Sequence, residues 1–264
     1  MDTAHSIQPR PVTHSLIQRI ASSNLDPLDC KANDDRHTAG AFLFSGLLLH
    51  LVLKEPITVL GIVPSRQRAK EFLVGLVFMA GIAVINFTWQ AHFKEISYQI
   101  NPDYGPVQLL GGSLWVMIAV ILEELVFRGV ILYVLIRHIG IVKACLLSAI
   151  IFGIYHWFSY GVFGSRLVLM IYVFLVTGAG GWMFALAFAK TKSLFAPIGL
   201  HLGWNLVTAI VFSSGPIGDQ WLLEQGEAVQ TSDWVTLLFF SLQAIFAPGV
   251  VTWYLQKVYK AEQV

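Results

Sequence analysis

The sequence predicts an all-α protein: a polytopic transmembrane helical bundle of about seven spans with a polar cavity inside the membrane. Three observations carry that expectation. Of the 264 residues, 56% are hydrophobic and only 12% charged, about half the charged fraction of an ordinary soluble domain, and the mean hydropathy is +0.66. The apolar residues fall into runs close to the ~20 that cross a hydrocarbon core. Three of those runs nevertheless hold polar side chains well inside them: Glu123-Glu124 with Arg128, His156, and His201 with Asn205.

Residues 1–38 are polar, carry Pro9, Pro11, Pro27 and Asp34-Asp35, and lack the apolar core of a signal peptide. They read as a tail before one transmembrane domain, 39–264. Spans are expected at 39–53, 72–90, 109–136, 141–163, 167–189, 194–213 and 234–256. The first is short and closed by Lys54-Glu55-Pro56. The third exceeds the length of a crossing, so it is expected to tilt or to start after Gly111-Gly112. In the fifth, Thr177, Gly178, Gly180 and Gly181 are small enough to let a neighbouring helix approach closely. Asn86-Phe87-Thr88 matches a glycosylation sequon but lies inside the second span, where no glycosyltransferase reaches it.

Basic residues orient the spans. Lys54, Arg66, Arg68 and Lys70, then Arg137 and Lys143, then Lys190 and Lys192, and finally Lys257 and Lys260 alternate with loops poor in Lys and Arg. The positive-inside rule therefore puts 54–71, 137–143, 190–193 and the C-terminus in the cytoplasm and the acidic 214–233 loop outside. The expected location is an integral, multi-pass position in the cell membrane, with the lipid bilayer as a constant partner. A net charge of +1 gives no reason to expect nucleic acid. Two cysteines, Cys30 and Cys145, supply neither a disulfide framework nor a thiolate zinc site.

Charged groups at mid-membrane cost ~2.5–3.5 kcal/mol each on insertion scales, so they mark function or a fully paired architecture. Helical geometry separates the two glutamates. Glu124 and Arg128 stand four apart, within about 40° of each other, with the acid N-terminal to the base. Glu123 lies roughly 140° around the helix from Arg128 and needs a partner from another helix. The architectural alternative is a buried triad in which both glutamates bind Arg128. His201 and Asn205 share a face by the same four-residue spacing, and together an imidazole and a carboxamide can bind a developing anion. Phe152 precedes His156 by four, where it could fix the ring. Taken singly, either histidine reads better as a packed core residue. Their company lifts them above His14, His50, His92 and His138.

Glu123-Glu124-x-x-x-Arg128, Phe152-x-x-x-His156 and His201-x-x-x-Asn205, in that order on three helices, resemble the motif set of the CPBP family. That family includes the CAAX prenyl endopeptidases and the bacteriocin-processing and self-immunity proteins, and is also known as the abortive-infection family. The run Thr191-Lys192-Ser193-Leu194-Phe195-Ala196-Pro197-Ile198 is similar to the family's sequence before its second histidine. The resemblance covers roughly residues 72–213.

It implies a catalytic cavity and an intramembrane endopeptidase acting on a membrane-associated peptide or protein, prenylated CAAX or leader-type. By position, Glu123 matches the general base, His156 its helper in activating water, and His201 with Asn205 the oxyanion pair. Glu124 and Arg128 match supporting positions. No cofactor is expected; zinc held by Glu123, His156 and His201 is the alternative, although no H-E-x-x-H pair exists here. Two other readings stand beside the enzyme. One is a non-catalytic immunity or partner-binding membrane protein of the same fold. The other is a proton-coupled transporter, which also gathers Glu, Arg and His at mid-membrane.

Overall fold

The computed structural model describes residues 54–259. The expected tail, the first expected span at 39–53 and Cys30 lie outside the described residues. After a 3₁₀ turn at Ile57–Leu60 comes α1, Arg66–Lys94, opened by Ser65, whose hydroxyl accepts the Arg68 N–H at 3.2 Å. Such a cap satisfies one of the orphan donors of a first turn. At 29 residues, α1 is about 43 Å long, more than a bilayer core requires.

Strand β1, Ser97–Ile100, leads to α2, Pro106–Arg128. Proline starts α2 where its missing N–H does no harm, and the Gln108 side chain takes the Gly105 N–H at 3.2 Å. Helix α3, Val130–Ile139, follows after the single residue Gly129, and α4, Ile141–Ser159, after Gly140. Then come α5, Leu167–Thr191, and α6, Phe195–Leu206, the latter continued by a π-helical segment Val207–Val211. Strand β2 spans Leu222–Gln225. The last crossing is composite: α7, Asp233–Ser241, a second π-helical segment Leu242–Phe246, and α8, Ala247–Val258.

Four of these units are long and apolar enough to cross a membrane: α1, α4, α5 and the composite 233–258. They match the second, fourth, fifth and seventh expected spans. The third is two helices rather than one tilted rod, and α2 runs straight through Gly111 and Gly112. The break lies at Gly129, where a Cβ would stand 2.1 Å from the Leu125 carbonyl oxygen. The sixth, Phe195–Val211, is short. Its helix α6 is enclosed by protein, with Ala196, Pro197 and Gly199 to Gly203 all buried, so its ends need not meet both interfaces.

The bundle also departs from an all-α expectation. Strands β1 and β2 pair antiparallel, with Tyr98 opposite Glu224 and Ile100 opposite Leu222. Each has four residues and no inside-outside alternation, so neither carries a strand signal in sequence. They pair because the loops after α1 and before α7 leave the bundle at one end, where Lys94 O also accepts the Val229 N–H at 2.9 Å.

The opposite end gathers the basic loops. Tyr133 donates to Glu55 at 2.6 Å and Arg137 pairs with the same carboxylate. Ser193 donates to Gly61 O at 3.1 Å, and Tyr259 donates to Glu71 at 2.7 Å. The grouping agrees with the alternation of basic loops. The Tyr133 hydroxyl, and then the Arg137 guanidinium, hold the Glu55 carboxyl below the ordinary carboxylate range.

Candidate active site

The site is built where α2, α4, α5 and α6 meet, and small residues make that meeting possible. On α6, a Cβ at Gly199 would lie 2.2 Å from Phe72 O, and one at Gly203 2.2 Å from Leu76 O. On α1, a Cβ at Gly75 would lie 2.9 Å from Leu200 N. Helices α1 and α6 therefore touch backbone to backbone through a G-x-x-x-G pair, the close-approach motif of membrane helices. On α5, Gly181 lies against α4, with its Cβ position 3.1 Å from Phe152 and 3.2 Å from Ala149. That agrees with the packing role expected for the small residues of this span.

Arg128 and Glu124 are fully buried. Arg128 Nη1 donates to Glu124 Oε1 at 3.1 Å, and its Nη2 to the Gly181 carbonyl at 3.3 Å. The guanidinium also lies over the rings of Phe152, at 4.1 Å, and Phe184, at 5.1 Å. A desolvated cation over an aromatic face is a favourable arrangement. Among the described residues, Glu124 is the only ion-pair partner of Arg128, so the buried triad is not formed.

Glu124 has a second task that sequence spacing does not show. His201 Nδ1 lies 2.8 Å from Glu124 Oε1, the same oxygen that accepts from Arg128. The imidazole stacks on Phe184 with ring centres 4.7 Å apart and an interplanar angle of 16°. Its other nitrogen, Nε2, points toward Glu123, with Oε2 at 3.8 Å. That separation is too long for a direct hydrogen bond, and Oε2 of Glu123 is buried without a partner. The residue from another helix that Glu123 faces is thus His201, without a direct hydrogen bond between them.

His156 is fixed by its own helix. Its Nδ1 lies 2.8 Å from the Phe152 carbonyl oxygen, and its ring meets that of Phe152 edge to face at 4.4 Å. The i−4 carbonyl as well as the aromatic ring sets its orientation. With Nδ1–H donated to a carbonyl, Nε2 is left as an acceptor.

A cavity of about 210 Å³ is lined by His156, His201 and Asn205, together with Tyr160, Tyr172, Thr177 and Gln243. Glu123 is not part of the lining and reaches the site at the edge of His201. Each histidine has the arrangement that suits a metal ligand, one nitrogen held by an oxygen and the other free. Among the described residues, however, no three His, Cys, Asp or Glu side chains converge as a metal set in this arrangement.

Sequence reasoning passed over Gln243, Tyr160 and Tyr172, and read Asn86 only as part of an unusable sequon. It also passed over Gly199-x-x-x-Gly203, which the spacing alone could have supplied.

Residues 106–207 match the family model described as "Type II CAAX prenyl endopeptidase Rce1-like", consistent with the CPBP family. The match spans all three polar motifs, from α2 to the end of α6. No curated protein and no solved structure shows a significant match to the chain.

Proposed function

We propose that the chain is a CAAX-type intramembrane endopeptidase that hydrolyses a peptide bond of a membrane-associated substrate by general-base attack of water. The observation that supports this most is the presentation of His156, His201 and Asn205 on one cavity with the unpartnered Glu123 carboxylate beside His201. The family match over the same residues agrees with it.

Each group then has one task. Glu123 takes a proton from water, and its unpartnered buried oxygen is the acceptor for that proton. His156 orients the water through Nε2, because Nδ1 is committed to Phe152 O. The hydroxide oxygen bonds to the scissile carbonyl carbon, and negative charge moves onto the carbonyl oxygen. His201 Nε2 and the Asn205 carboxamide receive that oxyanion, where fixed donors in a dry site do most. When the tetrahedral species collapses, the C–N bond breaks and Glu123 returns the proton to the leaving amine. The products are a carboxylic acid and an amine, which leave as carboxylate and ammonium once the acid's proton has passed to the amine.

The Glu124 contact constrains this scheme. With Nδ1–H donated to Glu124, Nε2 can donate to an oxyanion only when the ring carries both protons. Glu124 acts through His201 and is a positioning residue.

The test is cleavage of a farnesylated CAAX peptide by purified protein, wild type beside Glu123→Ala. Hydrolysis is expected in the wild type and absent in the variant at equal thermal stability. Full activity in Glu123→Ala would refute the assignment of the base, and an inert wild type would refute the endopeptidase itself.

A further inference from the structure

The last crossing contains one feature that an apolar membrane span does not need. It is interrupted at Leu242–Phe246 by a π-helical segment, an irregularity found often at functional sites. Within that segment stands Gln243, a primary carboxamide on the same cavity as His156, His201 and Asn205. It is braced by a residue outside the cavity lining. Gln243 Nε2 donates to Asn86 Oδ1 of α1 at 3.1 Å, and Asn86 is only 1% exposed. The asparagine that reads as an unusable sequon is therefore a buried support.

We propose that Gln243 is a substrate-positioning residue whose carboxamide, displayed by the π-helical segment and braced by Asn86, hydrogen-bonds the backbone of the peptide in the cavity. The inference rests on the endopeptidase reading. A glutamine side chain has two N–H donors and a carbonyl acceptor. Among the described residues one donor is used on Asn86, and the Tyr172 oxygen lies within hydrogen-bond reach of the same amide. The carbonyl acceptor remains for a ligand, and a peptide unit offers the complementary N–H. Such recognition ignores side chains and suits a site that must hold an extended backbone against the catalytic residues. A purely structural pair would lock α1 to the last crossing equally well without facing the cavity.

The experiment compares the wild type, Gln243→Met and the double variant Asn86→Leu/Gln243→Met on a fluorogenic farnesylated CAAX peptide in detergent micelles. Gln243→Met alone leaves buried Asn86 unsatisfied and could impair folding. Removing both partners of a hydrogen bond together is close to neutral for stability, so the double variant keeps the test sound. Both variants are expected to raise KM about 5- to 10-fold with kcat within about two-fold, as loss of one neutral hydrogen bond to a ground state predicts. In a Glu123→Gln background, which removes turnover, the dissociation constant for the same peptide is expected to rise by the same factor.

Wild-type KM in the double variant would overturn the inference and leave a structural pair. So would a loss confined to kcat. A wild type that neither cleaves nor binds the peptide would instead overturn the endopeptidase reading on which the inference rests.

Discussion

Gly203 lies between His201 and Asn205 on α6, and replacing it with alanine tests whether the backbone contact with α1 positions the site. The new Cβ would lie 2.2 Å from Leu76 O, 2.9 Å from Leu76 C and 3.0 Å from Leu76 Cα. All three are main-chain atoms in the middle of α1, so none can swing aside. Ordinary contact begins at 3.4 Å, and the shortfall of about 1.2 Å (3.4 minus 2.2) has to come from moving one helix away from the other. Overpacking of this kind costs ~1–3 kcal/mol, offset by at most ~1 kcal/mol from the better helix propensity of alanine. A shift near 1 Å at His201 and Asn205 is expected to lower turnover about 100-fold.

The control is Gly81→Ala on α1, where a Cβ meets nothing within 4 Å. It gains the propensity without the clash and should be as stable as the wild type or slightly more so. Thermal unfolding in one detergent and kcat/KM per folded molecule on the farnesylated peptide measure both effects. If Gly203→Ala keeps wild-type stability and activity, or if Gly81→Ala is equally damaging, the packing argument is wrong.

Glu124→Gln removes the only charge partner that fully buried Arg128 has among the described residues, a loss of ~3–5 kcal/mol for a broken buried pair. It also removes the carboxylate that holds His201. Adding Arg128→Met should therefore restore much of the thermal stability and none of the activity per folded molecule. Recovery of both would make Glu124 purely architectural. At the basic end of the bundle, the Glu55 carboxyl titrates below its unfolded value because Tyr133 and Arg137 bind its charged form. A depressed carboxylate stabilises above the unfolded pKa of ~4.3 and loses that stabilisation as pH falls through the folded value. Glu55→Gln should thus flatten the fall in melting temperature below about pH 5 relative to the wild type, and an unchanged acid profile would count against the contact.

What was legible in the sequence was local, and what was hidden was relational. Glu123, Glu124, Arg128, His156, His201 and Asn205 stand out because each is anomalous in an apolar run, and helical spacing pairs Glu124 with Arg128 as observed at 3.1 Å. The 2.8 Å contact between Glu124 and His201 joins residues 77 positions apart. Its existence depends on how far α6 penetrates the bundle, and no periodicity within either helix encodes that depth. The break at Gly129 was hidden for a related reason: the apolar pattern continues across it, and the lack of room for a Cβ against the Leu125 carbonyl leaves no period to detect. Strands β1 and β2 were invisible because four residues without alternation give no period to detect.

Glycine is the link between the two levels. Gly199 and Gly203 bring α6 against α1, and Gly181 brings α5 against α4 while offering its carbonyl to Arg128. A charged residue in a membrane helix therefore announces that a site exists, and the small residues on the neighbouring helices determine which of the charged residues meet. In this chain, G-x-x-x-G set around His201 carries as much information about the site as the histidine itself, because it fixes the helix on which both His201 and Asn205 are presented.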